Sequence, residues 1–308
     1  MILVNKKGLL LTTALSLSCM LLMCSSGTPV IRSKYEVLES VMEGVDPVFR
    51  PTALKLIESN VDTTFIGMVL RNPETKFMEK LLKINVTGFL KKADYSFNTN
   101  EKSVKTAKEF YTENLATLKE AEATYGVPAE VITSILYVET KFGKVTGTYH
   151  LASCLATVAM VDEPQYIEMN KQVYRDGSYS ADSVALLDSV VTARAHKRAN
   201  LAFNQLIALR DMQNVSPIPI MELKGSYAGA FGWSQFLPSS YMSWAVDGDG
   251  DKKVNLFTKA DAIASIANYL KTNGWGETTE KKRGAVYHYN NSNDYVDCVL
   301  KLADLIKN

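Results

Sequence analysis

A mainly α fold follows from three observations. Apolar residues recur three and four positions apart along most of the 308-residue chain. Segments with strict strand-like alternation are few, and no repeat or low-complexity stretch interrupts the pattern. Glycine and proline fall where helices stop and start.

The elements follow in order. Residues 33 to 45 ("SKYEVLESVMEGV") predict a short amphipathic helix, and Pro51 suits the first turn of the next, "PTALKLIES". "DTTFIGMVLRN" and "PETKFMEKLLKINVTGFLKK" continue the helical spacing, and "DYSFNTNEK" (94 to 102) is a polar break. Ser103 to Tyr125 reads as one long helical segment stopping near Gly126. Pro128 opens the next helix and Gly143 is expected to end it. "RDGSYSADS" (175 to 183) is a loop candidate, residues 183 to 213 are helical again, and "SPIPI" (216 to 220) is a stiff connector. "GSYAGAFGWSQFLPSS" carries too many glycines for a core helix and suits the wall of a cleft.

Composition narrows the class. At 46% hydrophobic and 22% charged, the chain can bury a core. A formal net charge of +1, without blocks of like charge, excludes the strong positive field that a nucleic-acid partner needs. Residues 1–24 read as a secretory leader. Lys6 and Lys7 precede the uncharged apolar run 8–23, which is short for a spanning helix. Removing those two lysines takes the charge from +1 to −1. "LLMCSS" resembles a bacterial lipoprotein cleavage box with Cys24 as the lipidated residue, although Met23 stands where a small residue is usual. Lipidation at Cys24 and plain export are both open. Two cysteines remain, Cys154 and Cys298, each among apolar residues in a helical pattern. They read as buried free thiols, although export would permit a disulfide.

One acid stands out. Glu139 has Ile135, Leu136, Phe142 and Gly143 three and four positions away. Burial in such company disfavours the charged form, and a carboxyl kept protonated near neutrality can donate a proton to a leaving oxygen. The other reading has Glu139 facing water or pairing with Lys141 or Lys144. Further on, "DGDGDKKVN" (247 to 255) alternates aspartates and glycines, which can turn oxygens around a hard cation. It departs from the EF-hand pattern, with Lys252 at the sixth place and Thr258 at the twelfth. A simple aspartate-glycine turn, with Asp261 as an N-cap, is the alternative.

Four segments, in order, resemble the lytic murein transglycosylase B family. They are "YGVPAEVITSILYVETKFGKVTG" (125 to 147), "LKGSYAGAFGWSQFLPSSYMSWAVD" (223 to 247), "NLFTKADAIASIANYLKTNGW" (255 to 275) and "YNNSNDYVDCVL" (289 to 300). The resemblance implies a mainly helical, lysozyme-like catalytic domain over 121–308, with an added N-terminal helical region over 33–120. It implies export to the periplasm or cell envelope and action on peptidoglycan glycan strands. The bond cut would be the β-1,4 link between N-acetylmuramic acid and N-acetylglucosamine, leaving 1,6-anhydromuramic ends. Glu139 would act alone, protonating the glycosidic oxygen and then deprotonating the C6 hydroxyl that attacks its own anomeric carbon.

By the same resemblance Ser226 and Gln235 hold sugar groups, and Tyr289 and Asn290 lie near the acid, where the tyrosine hydroxyl could orient the carboxyl. Turn capping for Ser226 and plain surface for Gln235 are the competing readings. Phe231, Trp233 and Phe236 are read as core, with sugar stacking as the alternative. A structural calcium ion would be held by Asp247, Asp249, Asp251, the Lys253 carbonyl and Asp261, in an EF-hand-like loop. Residues 162–195 depart from the family as an insertion, which carries Asp162 and Glu163 as the other acids to weigh. A hydrolytic muramidase and a non-catalytic peptidoglycan-binding protein are the competing functions. The sequence carries no reading of oligomeric state.

Overall fold

The computed structural model describes residues 33–175, 177 and 179–308. Cys24 and the leader lie outside the described residues. Four short helices come first: α1 (Lys34–Met42), α2 (Arg50–Glu58), α3 (Thr63–Leu70) and α4 (Glu79–Thr87). Local chemistry fixes their starts. Ser33 and Glu36 form a reciprocal capping box on α1, Pro51 lies in the first turn of α2, and Asp62 accepts from the Phe65 N–H of α3 at 2.7 Å.

The expected single helix over Ser103–Tyr125 is instead two, α5 (Glu101–Glu113) and α6 (Leu115–Tyr125). Asn114 breaks it. Its backbone leaves the helical region, and its side-chain amide donates to the Phe110 carbonyl at 2.8 Å, competing with the helix ladder. Gly126 then closes α6 in the left-handed conformation, as the sequence predicts.

α7 (Ala129–Thr140) is the central helix. Ile132, Ile135 and Leu136 are fully buried, and α5, α6, α12 (Lys259–Thr272) and α14 (Asn293–Lys307) pack around it. Polar side chains bolt it to its neighbours. Ser134 Oγ donates to the Val299 carbonyl at 2.7 Å, Tyr137 Oη to Ser103 Oγ at 2.8 Å and Thr140 Oγ1 to the Trp233 carbonyl at 3.0 Å. Each satisfies a buried polar atom that would otherwise destabilise the core. The helix ends at Thr140, earlier than Gly143. Lys141, Phe142 and Gly143 all take positive φ, so the chain reverses over three residues.

The remaining elements pack mostly on one another. β1 (Tyr149–His150) pairs antiparallel with β2 (Lys224–Gly225), and α8 (Leu151–Val158) follows β1. α9 (Pro164–Lys171) leads to α10 (Ala181–Met212), which has 32 residues and packs on α4, α8 and α11 (Pro238–Trp244). α13 (Thr279–Tyr289) precedes α14. One continuous apolar cluster runs from Leu38 to Ile306. Cys154 and Cys298 are buried and unbridged.

Candidate active site

Glu139 is the penultimate residue of α7. It is half-buried, and burial pushes its carboxyl up to about 7. Two influences oppose that rise: a hydrogen bond from Tyr295 and the charge of Lys141. No second carboxylate bears on it among the described residues. Its position at a helix C-terminus, where backbone carbonyls point outward, also disfavours a negative charge.

Tyr295 donates to Glu139 Oε1 at 2.6 Å. Its place is set by the start of α14, where the Tyr295 N–H donates to the N-cap Ser292 Oγ at 3.3 Å. The Tyr295 ring meets that of Tyr95 edge-on, 5.7 Å between centroids. Burial, and then the charge of Glu139, hold the Tyr295 phenol well above its ordinary range, so it stays a donor. Tyr289 is also near Glu139, and its phenol is raised for the same reasons, but its hydroxyl donates to the Ser234 carbonyl. The hydroxyl that orients the carboxyl therefore belongs to Tyr295, where the sequence pointed to Tyr289. Asn290 is engaged with Tyr95 rather than with the acid.

Lys141 does not ion-pair with Glu139 in this arrangement. Its ammonium donates to Asn98 Oδ1 and to the Tyr137 carbonyl, and lies 4.0 Å from the Tyr137 ring centroid. It ties the 96–99 turn to the end of α7. Asp162 is elsewhere occupied, bonded to Lys55 and 3.6 Å from His196 Nδ1, and Glu163 sits at the N-cap of α9.

The glycine-rich segment folds as a tight reversal tied to the end of α7, where Thr140 donates to the Trp233 carbonyl. Phe231 and Phe236 exchange backbone hydrogen bonds at 2.9 and 3.1 Å, and both rings are buried. Trp233 is only partly buried and lies against Gly143, where a Cβ would fall 2.1 Å from the indole. Glycine is therefore required there by contact as well as by its positive φ. Ser226 Oγ accepts from the Ala228 and Ala230 N–H groups at 3.4 and 3.2 Å, and so braces its own turn. The Gln235 amide donates to the Thr146 and Gly232 carbonyls at 3.1 and 2.9 Å, bridging the glycine-rich segment to the loop after α7.

In the acidic loop, carboxylate oxygens of Asp247, Asp249 and Asp261 lie within 4.8 Å of one another. Asp251 falls outside that cluster and accepts from the Lys253 N–H at 2.8 Å. Asp261 is 2% exposed, and its two oxygens accept from the Gly248 and Asn255 N–H groups at 2.7 and 2.6 Å. Asp247 accepts from Asp249, Gly250 and Lys252 N–H groups. Burial alone would raise its carboxyl, but those backbone donors outweigh it and lower it. No lysine or arginine is within ion-pair distance of this cluster among the described residues.

A lysozyme-like helical fold, with one desolvated carboxyl met by a buried tyrosine, is the class that these features define. The chain belongs to the transglycosylase SLT domain family, whose pattern matches residues 59–283. Over 166 residues it is 36% identical to the membrane-bound lytic murein transglycosylase B of Escherichia coli (strain K12). That stretch is 54% of this chain and 37% of the relative, so the match spans little more than a third of that protein. An Escherichia coli lytic transglycosylase in complex with bulgecin A superposes with a TM-score of 0.63 at 21% identity, covering 85% of this chain and 93% of that one. A soluble lytic transglycosylase from Pseudomonas aeruginosa gives 0.61 at 21%, covering 88% and 98%. An Escherichia coli structure in complex with calcium gives 0.61 at 20%, covering 88% and 92%. At these identities the superpositions show a shared fold, and the family resemblance read from the four segments is borne out.

Proposed function

We propose that this chain is a peptidoglycan lytic transglycosylase. It cuts the β-1,4 bond between N-acetylmuramic acid and N-acetylglucosamine and leaves 1,6-anhydromuramic ends. The observation that carries this reading is the Glu139 carboxyl, pushed up to about 7 and met by a phenol rather than a second acid. A group with that affinity for a proton is available as an acid and, after giving the proton up, as a base near neutral pH. Because Tyr295 donates to Oε1, the transferable proton belongs on Oε2. Most glycosidases flank the bond with two carboxyls. A lone acid suits a reaction whose nucleophile is the substrate's own C6 hydroxyl, since intramolecular attack needs no positioned water.

The binding roles follow from the same reading. Ser226 and Gln235 are proposed to hold sugar groups, with Tyr289 and Asn290 as further binding residues near the acid. Residues 33–120 form the added helical region and 121–308 the catalytic one. A structural calcium ion is proposed for Asp247, Asp249 and Asp261, with Asp251 and the Lys253 carbonyl completing the set. An all-oxygen cluster without a basic partner suits a hard cation. Export, with lipidation at Cys24, is proposed for the leader. No helix among the described residues is long and apolar enough to cross a membrane.

Mass spectrometry of fragments released from purified peptidoglycan tests the reaction. Anhydromuramic ends from the wild type, and none from Glu139→Gln, are expected. Free reducing ends would instead identify a hydrolytic muramidase. Binding without cleavage would leave a wall-binding protein.

A further inference from the structure

His150 ends β1 and stands at the N-cap of α8. It is half-buried, and both of its ring nitrogens are engaged. Nε2 lies 2.9 Å from the Met221 carbonyl and Nδ1 lies 2.7 Å from Ser153 Oγ. Ser153 is 1% exposed and serves two further partners. Its Oγ accepts from the Lys76 N–H at 2.9 Å and donates to the Glu74 carbonyl at 3.0 Å. Three segments meet here: the loop between α3 and α4, the first turn of α8, and the connector that runs into β2.

The protons at this junction can be counted. A carbonyl only accepts, so Nε2 must carry a proton for Met221, and the single hydroxyl proton of Ser153 is committed to Glu74. None is left to point from Ser153 to Nδ1, so Nδ1 must donate as well. Only the imidazolium donates from both nitrogens. A neutral ring leaves one of the four bonds unmade. Ser153 then either turns its proton to Nδ1 and abandons Glu74, or faces a nitrogen lone pair at 2.7 Å. The surroundings pull the ring both ways. Burial is the largest influence and lowers its pKa from 6.5. The Met221 carbonyl, the charge of Glu74 and the Glu74 backbone raise it, while Lys224 on β2 lowers it. α8 presents the neutral Ser153. The ring is therefore neutral at pH 7 and takes its second proton on acidification.

We infer that His150 and Ser153 form a proton-operated clasp between the α3–α4 loop, β1 and the Met221 connector. With the imidazolium in place all four bonds close and the loop is docked. With the neutral ring one bond opens and the loop is held less firmly. Both influences of Glu74 on the ring favour the proton, so by linkage the proton favours the docked loop. β1 pairs with β2, and β2 leads directly into the turn braced by Ser226. The acidity of the surroundings thus sets how firmly that turn is footed. The clasp is independent of the reaction proposed above.

Nitrogen-15 NMR of the full chain through a pH titration tests the clasp. The neutral ring is expected as the Nε2–H tautomer, and the acid form with both ring protons slowed in exchange. The Lys76 amide should gain about tenfold in exchange protection as the ring takes its proton, the equivalent of one hydrogen bond. Glu74→Gln should move the His150 titration to lower pH, because a charge that favours the proton is gone. His150→Gln should leave Lys76 protection flat over the same range, since glutamine gains no donor on acidification. A neutral ring protonated at Nδ1 overturns the clasp. So does a Lys76 amide indifferent to the titration, or a protection step that persists in His150→Gln. The first two are read in the wild type and do not depend on how well a variant folds.

Discussion

Glu139 and Asp261 are both carboxylic acids at helix ends, and the chain surrounds them in opposite ways. Glu139 lies at the C-terminal end of α7, takes one side-chain hydrogen bond and is desolvated. Asp261 lies in the first turn of α12, is almost fully buried and takes a backbone N–H on each oxygen. A helix N-terminus favours negative charge and a C-terminus disfavours it. The lesson is that burial alone does not set a carboxyl's role. The Asp261 carboxylate is spent on holding two backbone donors, whereas Glu139, with a single hydrogen bond and a desolvated carboxyl, is left with a raised affinity for a proton.

The largest effect expected is at Glu139. Glu139→Gln keeps the shape and cannot donate the proton, so activity should fall by about 10³-fold or more, equivalent to ~4 kcal/mol of barrier. Muropeptide release by a variant within a few-fold of wild type would remove Glu139 from the chemistry. Asp261→Ala should produce the largest stability loss, about 3 kcal/mol, because it strands two backbone donors at a buried site. Urea unfolding measures it. A loss below ~1 kcal/mol would mean that water replaces the carboxylate.

Calcium comes next. A ligand that binds only the folded chain stabilises it by about 2.7 kcal/mol at ~100 times Kd, a shift of several degrees in Tm. Magnesium should do less, since it gives up its waters reluctantly. Coincident melting curves in calcium, magnesium and chelator would reduce the acidic loop to a turn.

The contrast also carries a pH signature. Between pH 4.5 and about 7 the folded chain holds a proton on Glu139 that the unfolded chain has released. Stability therefore falls as pH rises through that window. Glu139→Gln removes this penalty. The variant should match wild type near pH 4 and exceed it by about 3 kcal/mol at pH 8. A difference that does not change with pH would place Glu139 in water-like surroundings. The smallest effect is at Tyr295. Tyr295→Phe removes a bond that favours the carboxylate, so the Glu139 carboxyl should rise further and the alkaline limb of the rate profile should move to higher pH. An unmoved limb would deny the hydroxyl its orienting role.

The sequence by itself determined most of the helices, the stop at Gly126 and the place of Glu139 near the end of a buried helix. These rest on spacing of a few residues, which local periodicity and capping chemistry encode. It also marked the aspartates of the acidic loop, since alternation with glycine is a local pattern. Only the tertiary structure decided which tyrosine serves the acid. Tyr289 and Tyr295 lie in one short segment, and nothing local separates them. The choice is made by the Ser234 carbonyl, 55 positions from Tyr289, which takes its hydroxyl and leaves Tyr295, 156 positions from Glu139, to meet the carboxyl. The break at Asn114 and the exclusion of Asp251 from the carboxylate cluster were likewise decided in three dimensions. The tyrosines' partners are distant in sequence and leave no periodic trace, whereas the Asn114 and Asp251 bonds, to residues four and two positions away, are side-chain choices that apolar periodicity does not report.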